Sequence, residues 1–202
     1  MKEATSMNYD CTLNVNGIGY GMIKGNNEIV FIKLGLGGCH LDCEDKYHQL
    51  VSLLSENYGC CIIIASNPHD NKSHVKEDKQ ALEHLAAQNG SDIRQTYFFG
   101  SSNGCTKGLE LACAGISFKK MMFVNMPLMI NFHRTKRAIY QLPCIDITAV
   151  FGENDPSFSY VPFIEGRFNN LKTIIVKQAD HNFKGKTKEF AELGILLLGD
   201  CS

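Results

Sequence analysis

The stretch TYFFGSSNG, residues 96–104, decides how the rest of the chain is interpreted. Its apolar first half predicts a buried strand, and the helical pattern that begins near Thr106 predicts a helix leaving a sharp turn. Gly100 and Gly104 stand two positions before and two positions after Ser102, where small residues let the strand and the helix approach each other. The stretch therefore predicts a strand-to-helix elbow with Ser102 at its tip.

The alternation of strand and helix extends along the chain on both sides of this elbow. Strands are predicted within residues 27–38, 59–68, 94–104, 120–127, 144–156 and 171–183, and helices within residues 43–59, 74–90, 106–116, 128–142 and 186–200. This order predicts an α/β fold with a mostly parallel sheet flanked by helices on both faces. Residues 11–27 alternate in hydrophobicity and carry glycines, so they predict an antiparallel hairpin at the sheet edge.

The bulk composition is that of a globular protein. The 202 residues include 44% hydrophobic and 20% charged residues, and no linker or repeat interrupts them, so we expect a single domain over residues 1–202. The formal charge of −1 offers no electrostatic attraction for nucleic acid or for an anionic membrane. No apolar run reaches the length of a membrane span, and the first residues do not resemble a signal peptide. We expect a cytosolic protein whose partner is a small molecule or another protein.

The nine cysteines predict neither a disulfide framework nor a metal centre. Their number is odd and their spacing irregular, so we expect most of them to be reduced thiols in the core. Cys39, His40 and Cys43 carry the atoms that zinc prefers, but structural zinc usually needs four ligands and no second Cys/His pair at short spacing follows. We expect no metal and no organic cofactor.

Polar residues at the ends of predicted strands supply candidates for nucleophilic catalysis, because ligand sites in such sheets lie beyond the carboxyl ends of the strands. A serine hydroxyl needs a base, usually an imidazole that a carboxylate orients. His181 and Asp155 fit these roles, since each follows an apolar strand in the second half of the chain. Asp180 is a rival acid, although it adjoins His181, and Cys105 is a rival nucleophile, although it belongs to the helix after the elbow.

The chain resembles the α/β-hydrolase superfamily over roughly residues 28–198. The family order of nucleophile, acid and histidine matches Ser102, Asp155 and His181. The segments FGENDP and ADHNF are similar to the acid and histidine loops of the family, and KLGLGG is similar to its oxyanion loop. Gly35 matches the glycine of a His-Gly pair in that loop, whereas Leu34 replaces the histidine. The resemblance implies an oxyanion hole made by the backbone N–H groups of Asn103 and Leu36.

The leading hypothesis is a serine hydrolase that cleaves a carboxylic ester, or else a thioester or amide, through an acyl-enzyme on a small-molecule acyl substrate. Only about 20 residues separate the strands near Phe123 and Ile145, so we expect no large cap domain and an open site. The alternatives are an acyltransferase with the same triad and a binding protein that keeps the fold without turnover. The three aromatic residues that follow the acid loop form either core or the wall of an acyl pocket, namely Phe158, Tyr160 and Phe163.

Plainer interpretations stand beside these catalytic ones. Ser102 is also a typical turn residue, and Asn154-Asp155-Pro156 is strong loop-forming sequence in its own right. His181 is also able to satisfy backbone groups at the end of a strand. The spatial arrangement of the three side chains is therefore what distinguishes a catalytic site from three unrelated loops.

Overall fold

The computed structural model describes residues 7–70 and 72–199. Eight strands form one sheet: β1 (Cys11–Val15), β2 (Ile18–Ile23), β3 (Ile29–Lys33), β4 (Cys61–Ala65), β5 (Thr96–Ser101), β6 (Lys120–Val124), β7 (Asp146–Gly152) and β8 (Leu171–Val176). Five α-helices accompany them: α1 (Asp45–Tyr58), α2 (Val75–Asn89), α3 (Asn103–Cys113), α4 (Leu128–Tyr140) and α5 (Thr187–Leu198). The elements occur in the order that the alternation of patterns predicts.

The strand order in space is β1-β2-β4-β3-β5-β6-β7-β8. Strands β3 to β8 are parallel to one another, while β1 pairs antiparallel with β2 and β2 pairs antiparallel with β4. The predicted mostly parallel sheet and the predicted edge hairpin are both confirmed. Between β6 and β7 the chain forms only α4 and short connections, so the expectation of no large cap domain is also confirmed.

Helices cover both faces of the sheet, because strand side chains alternate between two apolar cores. Phe31 of β3 faces the core shared with α2, α3 and α4, and Val30 and Ile32 face the core shared with α1 and α5. Three residues of α5 with helical spacing are buried against the second core as expected, namely Phe190, Leu193 and Leu197. No helix in the described ranges is long and apolar enough to cross a membrane.

A buried ion pair joins the end of β3 to α2. Lys33 Nζ lies 2.7 Å from Asp78 Oδ1, and both side chains are almost completely buried. The hydroxyl of Tyr20 donates to the same carboxylate oxygen at 2.8 Å. Burial lowers the pKa of Lys33 and raises the pKa of Tyr20. Because a buried charge is tolerated only with partners, this cluster fixes the last residue of β3, directly before the loop at Gly35.

Candidate active site

Ser102 occupies a strained backbone conformation between β5 and α3. Its φ is 52° and its ψ is −123°, a region that residues with a Cβ rarely adopt. Its N–H donates to the carbonyl of Val124 at 2.8 Å, which ties the turn to the end of β6. The side chain thus stands at the carboxyl end of the sheet, directly before the N-terminus of α3, where the helix dipole favours negative charge.

The two glycines of the elbow are required by close backbone packing. A Cβ on Gly104 would lie 2.3 Å from the carbonyl oxygen of Lys33 and 2.7 Å from that of Leu34. A Cβ on Gly100 would lie 2.9 Å from the backbone nitrogen of Cys105. Such distances are far below van der Waals contact, so the steric reason for glycine two positions either side of Ser102 is confirmed.

The structure brings Ser102, His181 and Asp155 into one chain of contacts. His181 Nε2 lies 2.9 Å from Ser102 Oγ, and His181 Nδ1 lies 2.5 Å from Asp155 Oδ2. The other carboxylate oxygen, Asp155 Oδ1, accepts the N–H of Ser157 at 2.7 Å. The Asp155 side chain is completely buried, whereas the His181 side chain is 39% exposed. A serine, an imidazole and an oriented carboxylate therefore stand in the relation that nucleophilic catalysis needs.

The two rival residues occupy other positions. Asp180 Oδ1 accepts the N–H groups of Asn182 at 3.0 Å and of Lys184 at 2.9 Å, so this carboxylate shapes the histidine loop. Cys105 is buried, and its thiol donates to the carbonyls of Gly100 and Val124. Burial raises the pKa of the Cys105 thiol well above its usual range, which opposes a thiolate nucleophile.

The predicted oxyanion loop lies against the elbow. A Cβ on Gly35 would lie 3.5 Å from the Cβ of Ser102, an ordinary contact distance. Among the described residues, no oxygen accepts the N–H of Leu36 or that of Asn103, whereas the next N–H in the loop, that of Gly37, donates to Asn67 at 2.6 Å. Both N–H groups that the resemblance singles out are thus available to a ligand at this edge of the sheet.

A cavity of about 400 Å³ adjoins Ser102 and His181. The loop of residues 34–38, the turn of residues 39–44 and the start of α1 line it. The segment of residues 42–46 contributes the charged side chains of the lining, namely Asp42, Glu44 and Lys46. A larger cavity of about 480 Å³ near Asp146 lies at the other edge of the sheet, away from the carboxyl ends of the strands where ligands usually bind.

Of the three aromatic residues after the acid loop, Phe158 and Phe163 are exposed, and Tyr160 is partly buried against the core. Phe163 is 56% exposed and Phe158 is 37% exposed, and Tyr160 and Phe163 pack against Phe132 of α4 with ring centroids 5.7 Å and 6.1 Å away. Within the described chain, they do not line the cavity beside Ser102. Of the two interpretations left open, core packing does not hold for Phe158 and Phe163, which are exposed on the short 3-10 helix of residues 156–163.

The cysteines are dispersed. All eight that the structure describes are free thiols, and Cys201 lies outside the described residues. Of these eight, Cys60, Cys61 and Cys105 are buried, Cys11 and Cys43 are partly buried against the core, and the other three are exposed. In residues 7–70 and 72–199, no group of three or more His, Cys, Asp or Glu side chains is arranged to hold a metal ion.

Two buried asparagines that the sequence analysis did not single out contact the site loops. Asn67 Nδ2 donates to the carbonyl of Leu34 at 3.0 Å and to Asn103 Oδ1 at 3.1 Å, so it links the oxyanion loop to the elbow. Asn125 contacts the histidine loop. In the sequence, only the position of each asparagine, one or two residues after a buried strand, indicated that it lies at the end of the sheet where ligands bind.

An eight-stranded, mostly parallel sheet, flanked by helices on both faces and carrying a serine at the elbow after its central strand β5, is the α/β-hydrolase fold. The resemblance inferred from the sequence is therefore confirmed at the level of the fold.

Solved structures with this fold are similar to the chain. Est1E from Butyrivibrio proteoclasticus superposes with a TM-score of 0.72 and 12% identity, covering 94% of this chain and 99% of that one. A serine hydrolase homologue from Coxiella burnetii has a TM-score of 0.69 and 14% identity, covering 94% and 98%. A cold-adapted esterase from an Arctic intertidal metagenomic library has a TM-score of 0.67 and 15% identity, covering 90% and 92%. No protein-family model matches the sequence, and no curated protein matches it either.

Proposed function

We propose that the protein is a serine hydrolase that cleaves a carboxylic ester through an acyl-enzyme intermediate. The observation that carries the proposal is the continuous contact from Ser102 Oγ to His181 Nε2 and from His181 Nδ1 to the buried carboxylate of Asp155. Three loops of the sheet converge to make this contact, and turn-forming or capping roles for the separate residues do not require such convergence.

In the proposed reaction, His181 removes the proton of the Ser102 hydroxyl as its oxygen attacks the carbonyl carbon of the ester. The N–H groups of Leu36 and Asn103 donate to the resulting oxyanion. Collapse of this intermediate breaks the bond to the alcohol, which leaves with the proton from His181. Water, deprotonated by His181, then attacks the acyl group and releases the acid and the free Ser102.

Asp155 has a supporting role in this scheme. Its Oδ2 accepts from His181 Nδ1, so Nε2 is left without a proton and is able to accept one from Ser102. The N–H of Ser157 holds the other oxygen, which limits rotation of the carboxylate. The negative charge of Asp155 also stabilises the imidazolium that forms during the attack.

The comparisons support ester cleavage as the reaction class. Three similar structures are described as a cold-adapted esterase, an arylesterase and a ferulic acid esterase, and another is described as Est1E with bound ferulic acid. The cavity of about 400 Å³ beside Ser102 is suited to a small acyl or alcohol group, and its mixture of charged and apolar lining does not favour a long alkyl chain. We therefore propose a small carboxylic ester as substrate.

A fluorophosphonate probe tests the nucleophile. Intact-mass measurement should find one adduct on the parent protein and on Ser101→Ala, the matched control one position away, but none on Ser102→Ala. Hydrolysis of p-nitrophenyl acetate should fall on the order of 10³-fold or more in His181→Gln, because the base is lost. Labelling of Ser102→Ala at the parent rate, or full hydrolysis by it, would refute the assignment.

A further inference from the structure

Asn125 is a buried residue directly after β6 with an unusual backbone conformation. Its φ is 50°, and its side chain is completely buried. Its own N–H donates to the carbonyl of Val150 at 2.8 Å, which keeps it beside β7. Asparagine tolerates a left-handed conformation better than most residues, so the conformation points the amide side chain away from the regular strand path without large strain.

The side-chain amide of Asn125 makes three hydrogen bonds. Nδ2 donates to the carbonyl of Asp180 at 3.1 Å and to that of His181 at 2.9 Å. Oδ1 accepts the N–H of Gly152 at 2.8 Å. Both donors and the acceptor of the amide are therefore used, and a side chain needs two N–H groups and one oxygen to repeat this pattern.

These three bonds connect the two loops that carry the imidazole and its carboxylate. Gly152 ends β7, and its carbonyl accepts the N–H of Asp155 at 3.0 Å, so the acid loop begins at the residue that Asn125 holds. The bond to His181 is made to the backbone of the histidine itself. One buried amide therefore links the His181 backbone to the start of the Asp155 loop, beside the direct backbone hydrogen bond from the N–H of Asn154 to the carbonyl of Ala179 at 2.9 Å.

A second side chain holds the next carbonyl of the histidine loop. Lys46 Nζ donates to the carbonyl of Asn182 at 3.0 Å, and the lysine is almost completely buried. Three consecutive carbonyls, those of residues 180, 181 and 182, are thus bound by side-chain donors from distant parts of the chain. Of these donors, only Asn125 also contacts β7, the strand that leads into the acid loop.

We propose that Asn125 is a positioning residue that holds His181 in line between Asp155 and Ser102. It contacts neither substrate nor the reacting atoms, and it acts by fixing the backbone from which the imidazole projects. Its kinetic consequence rests on the proposed function, whereas its effect on the imidazole does not. The contact of His181 Nδ1 with Asp155 favours the ring tautomer with its proton on Nδ1, and this tautomer is a direct readout of the position of the ring.

Asn170 provides a matched control. Its Nδ2 also donates to two carbonyls, those of Leu142 at 2.7 Å and Ile145 at 2.9 Å. Asn170 directly precedes β8, at the amino ends of the parallel strands, whereas Ser102 lies at their carboxyl ends. Asn170→Ala therefore removes a similar pair of donated hydrogen bonds and leaves the histidine loop intact.

The test compares Asn125→Gly and Asn170→Ala with the parent protein. Glycine adopts a φ of 50° freely, so Asn125→Gly removes the amide and keeps the backbone path. The ring nitrogens of ¹⁵N-histidine-labelled protein are measured by NMR at a pH where the imidazole is neutral, with His181→Gln assigning the signals. We expect the Nδ1–H tautomer in the parent and in Asn170→Ala, and a mixture of both tautomers in Asn125→Gly.

The kinetic measurement should also separate Asn125→Gly from the parent protein and Asn170→Ala. We expect kcat for p-nitrophenyl acetate to fall on the order of 10²-fold in Asn125→Gly with KM nearly unchanged, because a displaced base slows the chemical step. Asn125→Asp, which keeps the shape and the acceptor but loses both donors, should show the same change in tautomer and serves if the glycine variant does not fold.

The parent tautomer in both Asn125 variants would overturn the proposal, as would an equal change in Asn170→Ala. If the parent hydrolyses no ester, the proposed function fails, and the tautomer comparison still decides the role of Asn125.

Discussion

Replacing Gly104 by alanine tests whether the elbow and the oxyanion loop must be in direct contact. The added Cβ would lie 2.3 Å from the carbonyl oxygen of Lys33 and 2.7 Å from that of Leu34. Neither oxygen is able to move by a side-chain rotation, since both belong to the backbone at the end of β3. The helix start must therefore separate from this backbone by about 1 Å to restore ordinary van der Waals contact.

That displacement has two expected consequences. A crowded substitution of this kind costs about 1–3 kcal/mol of unfolding free energy. A displacement of about 1 Å between nucleophile and oxyanion donors should also lower kcat/KM on the order of 10²-fold, equivalent to about 2.7 kcal/mol of transition-state stabilisation. At temperatures where the variant is fully folded, its activity should therefore still be far below that of the parent protein. Unfolding does not account for such a loss.

The measurements are urea unfolding and p-nitrophenyl acetate hydrolysis on the same preparations. Gly115→Ala is the matched control, because Gly115 follows the other end of α3, its φ is 91°, and a Cβ there meets nothing within 4 Å. We expect this control to lose about 1 kcal/mol of stability through backbone strain and to keep the parent activity. A folded Gly104→Ala with kcat/KM within about threefold of the parent would refute the packing argument.

Two further predictions concern the acid and a buried histidine. Asp155→Asn should lower kcat on the order of 10³-fold or more by favouring the wrong tautomer of His181, whereas Asp180→Asn should reduce it far less; the reverse ranking would make Asp180 the acid. Burial lowers the pKa of His40, whose ring Nδ1 lies 2.9 Å from Ser66 Oγ, so folding favours its neutral form. The contribution of neutral His40 to stability is complete above the ordinary histidine pKa of about 6.5. It decreases as the pH falls from that value towards the lowered pKa of His40 in the folded protein. Urea unfolding between about pH 5 and about pH 8 should show a shallower loss of stability in His40→Gln than in the parent, and equal slopes would contradict this account.

Local sequence patterns were sufficient for the elements and for the candidate triad. Apolar runs and helical spacing depend on neighbouring residues, so the strands and α-helices could be predicted from short windows, whereas the 3-10 helix of residues 156–163 was not predicted. The elbow was predictable for the same reason, because Gly100, Ser102 and Gly104 are within five positions of one another. Asp155 and His181 were predictable because each lies in the loop that follows a strand, and parallel strands present their carboxyl ends at one edge of the sheet.

The contacts that hold these residues in place were not predictable in this way. Asn125 and His181 are 56 positions apart, Lys46 and Asn182 are 136 apart, and Lys33 and Asp78 are 45 apart. Such pairs leave no periodic signal, because which side chains meet depends on the order of strands in space. The order of strands in the sheet also differs from their order in the chain, because β4 lies between β2 and β3.

The sequence by itself therefore determined the alternation of strands and helices, which follows from local patterns, and its resemblance to the α/β-hydrolase superfamily supplied the three residues proposed for catalysis. Only the tertiary structure decided that Asp155 rather than Asp180 contacts His181, that Cys105 is buried, and that Asn67 and Asn125 connect the loops of the site. Those outcomes depend on distances between loops that are remote in the chain, and such distances exist only after the sheet has formed.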